Sequence, residues 1–257
     1  MHNNRVSFTS AGAATPDNEA TTDAISSLLS AWRMSGQICG REWPLVQFAG
    51  GWWCIALTPE LDSLHQRFDS RDVSQTLGRI AKAGLAMKWE PLGDDPGSAD
   101  ACACASPRAY ALFTTYISLE SPVRCLDCFR PVGLHRFKPE DGGEHYRVIG
   151  WQSDYQSCDS LQMNCGVLEE AATLELSNLD SSLTRSGREQ CDVLSASSGR
   201  PFYYYLYRAN GASREAELES RCPGCGNTWA LEARLHLFDF KCDSCRLLSN
   251  VAFSLES

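Results

Sequence analysis

Short apolar segments alternate with amphipathic ones over the first ninety-odd residues, a three-to-four-residue apolar rhythm follows Val148, and two C-x-x-C pairs lie near the end. Together these predict an α+β protein. Val6-Ser7-Phe8 reads as a strand, and a polar loop containing Thr, Asn and Pro follows it. Thr22 or Asp23 is placed to cap a helix whose apolar face is Ile25, Leu28, Leu29 and Trp32. Trp43 to Phe48, Gly50-Gly51 and Trp52 to Leu57 have the shape of a hairpin. Asp69 or Ser70 opens a second helix through Val73, Leu77, Ile80 and Ala81, ended by Gly84. Leu85 to Trp89 supplies a last strand, stopped before Pro91. That order, βαββαβ, predicts a ferredoxin-like sandwich over residues 1–95.

Residues 91–108, with their Gly, Pro, Asp and Ser, read as a linker, and Tyr110 to Leu119 as a strand ended by Ser121-Pro122. Further on, Trp151, Tyr155, Cys158, Leu161, Cys165, Leu168 and Ala172 recur at helical spacing and predict one buried stripe. A second helix is expected from Asn178 to about Ser195. It points Leu179, Leu183, Cys191 and Leu194 inward, with Gly199 just past its end. The strand Phe202 to Tyr207 closes a mixed segment, 96–212, that contains a C-x-x-C knuckle and two long helices. In the strand, alternate tyrosines face opposite ways, so Tyr203-Tyr204-Tyr205 fits a strand covered on both sides better than a base-stacking platform.

Residues 213–257 contain Cys222-Pro-Gly-Cys225-Gly226, sixteen further residues, and Cys242-Asp-Ser-Cys245. Two such pairs at this separation predict a four-cysteine zinc site. Two residues between thiolates let both sulfurs reach one metal, and Gly224 and Gly226 permit the tight turn. The stretch from Trp229 to Phe240 is long enough for a hairpin, and Leu247 to Phe253 can add a third strand of a zinc ribbon. Four thiolates leave zinc no open position, so a Zn2+ held here is structural.

Cys125-Leu-Asp-Cys128 has the same knuckle spacing without a second pair at ribbon distance, and it is the candidate for a second zinc site. Cys102 and Cys104 close that site only if the chain doubles back. The ten-residue strand predicted between the pairs would span roughly 30 Å at about 3.3 Å per residue. Cys158, Cys165, His135 and His145 are the other conceivable partners, and a partly buried thiol pair is the competing reading.

The composition is that of an ordinary globular chain, with 257 residues, 43% of them hydrophobic and 21% charged. No run of eighteen apolar residues exists to span a membrane, and the N-terminal stretch lacks the basic-then-apolar pattern of an export signal. A cytoplasmic location is expected. The thirteen cysteines are odd in number and partly paired as C-x-x-C, which points to reduced thiols with some on metal. The net charge of −9 argues against an extended grip on nucleic acid. The best local stretch for such contact is 121–138, where Arg124, Arg130, Arg136 and Lys138 interleave with Phe129, His135 and Phe137, opposed only by Asp127. No nucleophile elbow, P-loop, post-strand G-x-G-x-x-G or H-E-x-x-H occurs, so no catalytic residue is assigned and no enzyme is expected.

The chain resembles an uncharacterised bacterial family of zinc-ribbon-containing proteins described as candidate nucleic-acid binders. Ser35-Gly36-Gln37-Ile38 through Gly40-Arg-Glu-Trp43-Pro44 carries the resemblance first, followed by Pro122-Val-Arg-Cys125-Leu-Asp-Cys128-Phe129. Cys158-Asp-Ser-Leu-Gln-Met163, Pro201-Phe-Tyr-Tyr-Tyr-Leu206 and Phe238 to Asn250 extend it. It implies zinc ligands at Cys222, Cys225, Cys242 and Cys245 and no catalytic residue. The expected function is a non-enzymatic zinc-ribbon protein with a nucleic-acid partner. The alternative is a protein-binding adapter or immunity-type inhibitor with a purely structural zinc.

Overall fold

The computed structural model describes residues 1–10, 18–139 and 143–255. The chain forms two units. One comprises Met1–Cys102, Leu119–Ser121 and Arg130–Tyr146, and the other Ala103–Ser118, Pro122–Phe129 and Arg147–Ser257.

In the first unit, β1 (His2–Ser10) leads to α1 (Asn18–Ser35), the hairpin β2 (Val46–Phe48) and β3 (Gly51–Thr58), then α2 (Arg71–Lys82) and β4 (Leu85–Asp94). The sheet is antiparallel in the order β2-β3-β1-β4. Period-two alternation buries Val6 and Phe8 of β1 with Trp52, Cys54 and Ala56 of β3. Ile25, Leu28, Leu29 and Trp32 of α1 and Val73 and Ile80 of α2 join the same core, as their helical spacing predicts. The Ser70 hydroxyl caps α2 by accepting from the Val73 N–H at 3.1 Å.

Two boundaries differ from expectation. Helix α1 already runs at Asn18, so Thr22 lies inside its first turns, its hydroxyl on the Glu19 carbonyl at 3.0 Å. Most of the preceding polar loop lies outside the described residues. Strand β4 continues through Pro91, which an edge strand tolerates because it needs no ladder N–H there. The register shifts at that point, between Asn3 and Asn4 of β1.

The second unit is built on a six-stranded sheet. Its strands are β5 (Tyr110–Leu112), β6 (Val123–Cys125), β7 (Phe202–Tyr205), β8 (Ala230–Leu235), β9 (Phe238–Cys242) and β10 (Leu247–Ser249), in the order β6-β5-β7-β10-β9-β8. Its helices are α3 (Tyr146–Met163), α4 (Glu169–Ser177), α5 (Ser182–Ser198) and α6 (Arg214–Glu219). Central β7 is buried on both faces, from Phe202 through Tyr205. The C-terminal hairpin shares this sheet through a parallel pairing of Leu247 with Tyr204. Helix α5 ends at Gly199, whose φ of 67° places it in the left-handed cap its position suggests.

The strand predicted over Tyr110 to Leu119 is much shorter. It stops at Leu112, and the Gln156 amide of α3 holds the following turn by donating to Thr114 Oγ1, the Thr115 carbonyl and the Ser118 carbonyl at 3.0, 3.0 and 2.6 Å. The single buried stripe predicted from Trp151 to Ala172 is broken as well. Cys165 and Leu168 adopt φ of 49° and 59° between α3 and α4, and both are exposed. Helix α3 instead buries Gln152, Gln156 and Gln162 beside Trp151 and Tyr155. None of the described helices is long and apolar enough to cross a membrane.

Candidate metal centres

The sulfurs of Cys222, Cys225, Cys242 and Cys245 lie within 4.8 Å of one another, an arrangement that can hold one metal ion. Antiparallel pairing of β9 with β8 and β10 brings the two knuckles together, and Trp229 stacks on Phe240 beneath them with ring centroids 4.9 Å apart. The Cys225 and Cys242 sulfurs are 3.6 Å apart, and the Cys245 N–H approaches the Cys242 sulfur at 3.4 Å. The Gly226 N–H donates to the Cys222 carbonyl at 2.9 Å, which requires the φ of +73° found at Gly226. A Cβ on Gly224 would lie 2.8 Å from the Cys245 sulfur, so glycine is the residue that leaves that ligand room. Burial pushes the Cys245 thiol up to about 12, while the Asn227 N–H lowers that of Cys225.

A second set assembles from Cys102, Cys104, Cys125 and Cys128, whose sulfurs also lie within 4.8 Å of one another. The roughly 30 Å separation expected from a long strand does not arise. Strand β5 is three residues long and β6 returns antiparallel beside it, with Tyr110 opposite Cys125. Cys102 is fixed by its N–H on the Pro131 carbonyl at 2.8 Å. The Cys125–Cys128 turn closes as the Cys222–Cys225 turn does: the Phe129 N–H donates to the Cys125 carbonyl at 2.7 Å and Phe129 has φ 59°. Phe129 stacks on His236, which in turn bonds the Leu126 carbonyl at 2.9 Å. Among the described residues the chain therefore supplies two tetra-cysteine groups, and Cys158, Cys165, His135 and His145 belong to neither. The sequence signal for Cys102 and Cys104 was their C-x-C spacing in a Gly/Ser/Pro stretch. The pairing that closes the site was legible only in the sheet.

The interleaved cations at 124–138 sit differently from a row along an open groove. Arg124 is buried on β6, Arg130 lies 3.5 Å from Asp100, and Arg136 bonds Glu60 at 2.7 Å, while Lys138 is exposed. Phe137 and His135 are buried, and Phe129 packs on His236 and Phe238. A different basic group, unmarked in the sequence, forms in the second unit. Arg185 and Arg188 of α5 and Arg246 after the last knuckle line a hollow of about 360 Å³, together with Ser244, Glu189 and Asp192. Arg246 donates to the Tyr203 hydroxyl at 3.1 Å, and Tyr203 also bonds Asp243.

Three family models match the chain, each described as a domain of unknown function: DUF8589 over residues 1–93, DUF2310 over 104–207 and DUF8594 over 211–255. An uncharacterized protein of Haemophilus influenzae is 35% identical over 242 residues, covering 92% of this chain and 93% of that protein. A second uncharacterized protein of the same organism is 38% identical over 176 residues, 68% of this chain and 87% of its own length. The chain thus belongs to one family with these Haemophilus influenzae proteins.

Proposed function

We propose that this protein is a non-enzymatic, cytosolic binding protein in which both tetra-cysteine groups hold structural zinc and whose partner is nucleic acid. The observation that carries the zinc reading is the donor set: two groups of four thiols, with three C-x-x-C turns each followed by a residue at positive φ. Soft sulfur donors at tetrahedral number suit zinc, and four of them leave it no site for water or substrate. Zinc supplies folding energy there, about 10–16 kcal/mol in small finger-type units. The cysteines position it, and Gly224 and the backbone N–H groups at the sulfurs keep its shell compact. We read the first unit as a ferredoxin-like sandwich and residues 213–257 as a three-stranded zinc ribbon. The strand order β2-β3-β1-β4 supports the first reading and the β8–β9–β10 pairing supports the second.

For the partner, the supporting feature is the convergence of Arg185, Arg188 and Arg246 beside the second knuckle, a better seat for a phosphate than the paired Arg130 and Arg136. Fluorescence anisotropy with single- and double-stranded DNA and RNA across salt concentrations tests it. Binding at low salt should weaken as salt rises, and Arg185→Ala or Arg188→Ala should each lower the log–log salt slope by about one. No binding at low salt, or binding indifferent to salt, refutes the nucleic-acid partner. A protein partner is the second reading, favoured by the net charge of −9 and by Val167, Leu168 and Leu174, exposed by 79%, 64% and 54%. A stoichiometric, nuclease-resistant complex on co-purification would establish it.

A further inference from the structure

The second unit forms a half-open cavity of about 330 Å³ lined by α3, the turn after β5, strand β7, the β8–β9 hairpin and the chain beyond β10. Its size lies at the lower end of small-molecule sites. Phe113, Tyr155, Tyr205 and Phe253 give it aromatic walls, and Tyr205 is held in place by donating to Asn250 at 2.7 Å. Two polar side chains of α3 line it, Asp159 and Gln162, three residues apart and so on one helix face.

Neither polar group is saturated by the fold. Gln162 is only 8% exposed, and its Oε1 has no hydrogen-bond partner among the described residues. A buried acceptor left unpaired costs about 1–3 kcal/mol, which a donor brought by a ligand would recover. Asp159 accepts the Tyr116 N–H at 2.7 Å through one oxygen, leaving the other for a second donor. Burial raises its carboxyl above the usual range. The cation lining the same cavity, Arg234, is paired with Asp239 at 3.6 Å.

These features select the ligand. A carboxylate or phosphate would meet Asp159, and an aliphatic chain would leave Gln162 unpaired. A flat ring satisfies both requirements: its faces stack on the aromatic walls, and a donor–acceptor edge matches a carboxamide bidentately, as glutamine matches a base edge. We propose that this cavity binds a planar nitrogen heterocycle of nucleobase size, with a ring or amino N–H on Gln162 Oε1 and a second N–H directed at Asp159. The site uses no group of the arginine hollow, so it stands or falls separately from the nucleic-acid reading above.

Saturation-transfer NMR and calorimetry on the full zinc-loaded chain test this, with adenosine, guanosine, cytidine and uridine as probes and toluene as a ring without N–H. At least one nucleoside should bind saturably. Gln162→Met should weaken it at least tenfold without lowering the melting temperature, because the substitution removes an unpaired acceptor. Phe253→Ala, at the exposed rim where folding is not at stake, should weaken it severalfold. No saturable nucleoside signal up to millimolar concentration, toluene binding as tightly, or unchanged affinity in Gln162→Met would each overturn the proposal. A single-stranded RNA pentamer then separates the two sources of such a ring. Displacement of the nucleoside supports a base presented by a strand, and failure to displace supports a free nucleobase or nucleoside.

Discussion

The Phe129 N–H donates to the Cys125 carbonyl at 2.7 Å, the same closure that Gly226 makes on Cys222 at 2.9 Å. Phe129 achieves it at φ 59°, a left-handed conformation that costs a residue with a Cβ about 1–2 kcal/mol. Its ring offsets that strain by stacking on His236 and meeting Phe238 edge-on. A bulky residue held in this conformation behind a C-x-x-C turn marks Cys125–Cys128 as a knuckle shaped to present two sulfurs together.

Elemental analysis of protein purified without chelator should therefore give two zinc ions per chain. Cys128→Ser should reduce this to one, as should Cys225→Ser. A single zinc in the unaltered chain would limit the metal to one group. With both groups loaded, an aromatic disulfide reagent should find one rapidly reacting thiol, Cys165. Outside the two groups it alone is exposed; Cys158 is half-buried with its thiol pushed up by burial, and Cys39, Cys54 and Cys191 are buried.

Gly224→Ala should weaken the C-terminal centre. Its added methyl would stand 2.8 Å from the Cys245 sulfur and would have to displace a ligand. Overpacking of this kind costs about 1–3 kcal/mol. Competition with a chromophoric zinc chelator should show faster metal loss from one of the two sites. Gly166→Ala, where the nearest atom is the Asn164 carbonyl at 3.7 Å, should change stability by less than about 0.5 kcal/mol. Equal metal retention in the two variants would remove the steric role given to Gly224.

Acid should destabilise the first unit through His145. The side chain is 6% exposed, with its ring against the Phe137 and Leu134 carbonyls, and burial lowers its pKa to about 4. Above pH ~6.5 both folded and unfolded states hold it neutral, so it has no effect. Below that, the unfolded chain takes the proton and the folded one does not. Stability therefore falls between about pH 6.5 and 4, by an amount on the order of 3 kcal/mol. Burial raises Asp69 and Glu144 and so opposes the trend, which makes the difference between wild type and His145→Gln the quantity to measure. Urea melts at pH 7 and pH 4.5 should show the variant losing less stability than wild type. Parallel losses would refute the assignment.

Much of the architecture was readable where local physics decides it. Helical spacing placed Ile25, Leu28, Leu29 and Trp32 in the core because a 3.6-residue turn puts them on one stripe. Alternation along a strand makes the tyrosine run fit a doubly covered strand, and β7 is buried on both faces. The broken stripe at Cys165 and Leu168 was not readable, because α3 buries three glutamines that apolar periodicity does not count.

The sequence by itself determined the C-terminal tetra-cysteine group, since two C-x-x-C pairs sixteen residues apart need only one hairpin to meet. Only the tertiary structure decided the other group. Cys102 and Cys104 meet Cys125 and Cys128 because β5 is short and β6 returns antiparallel beside it, with the two N–H of Gln156, thirty-one positions beyond Cys125, shared among acceptors in the turn after β5. The arginine hollow and the cavity at Gln162 are likewise assembled from segments far apart in the chain. A contact set by long-range pairing leaves no periodic trace in the segments that make it, whereas a knuckle turn leaves its spacing in plain view.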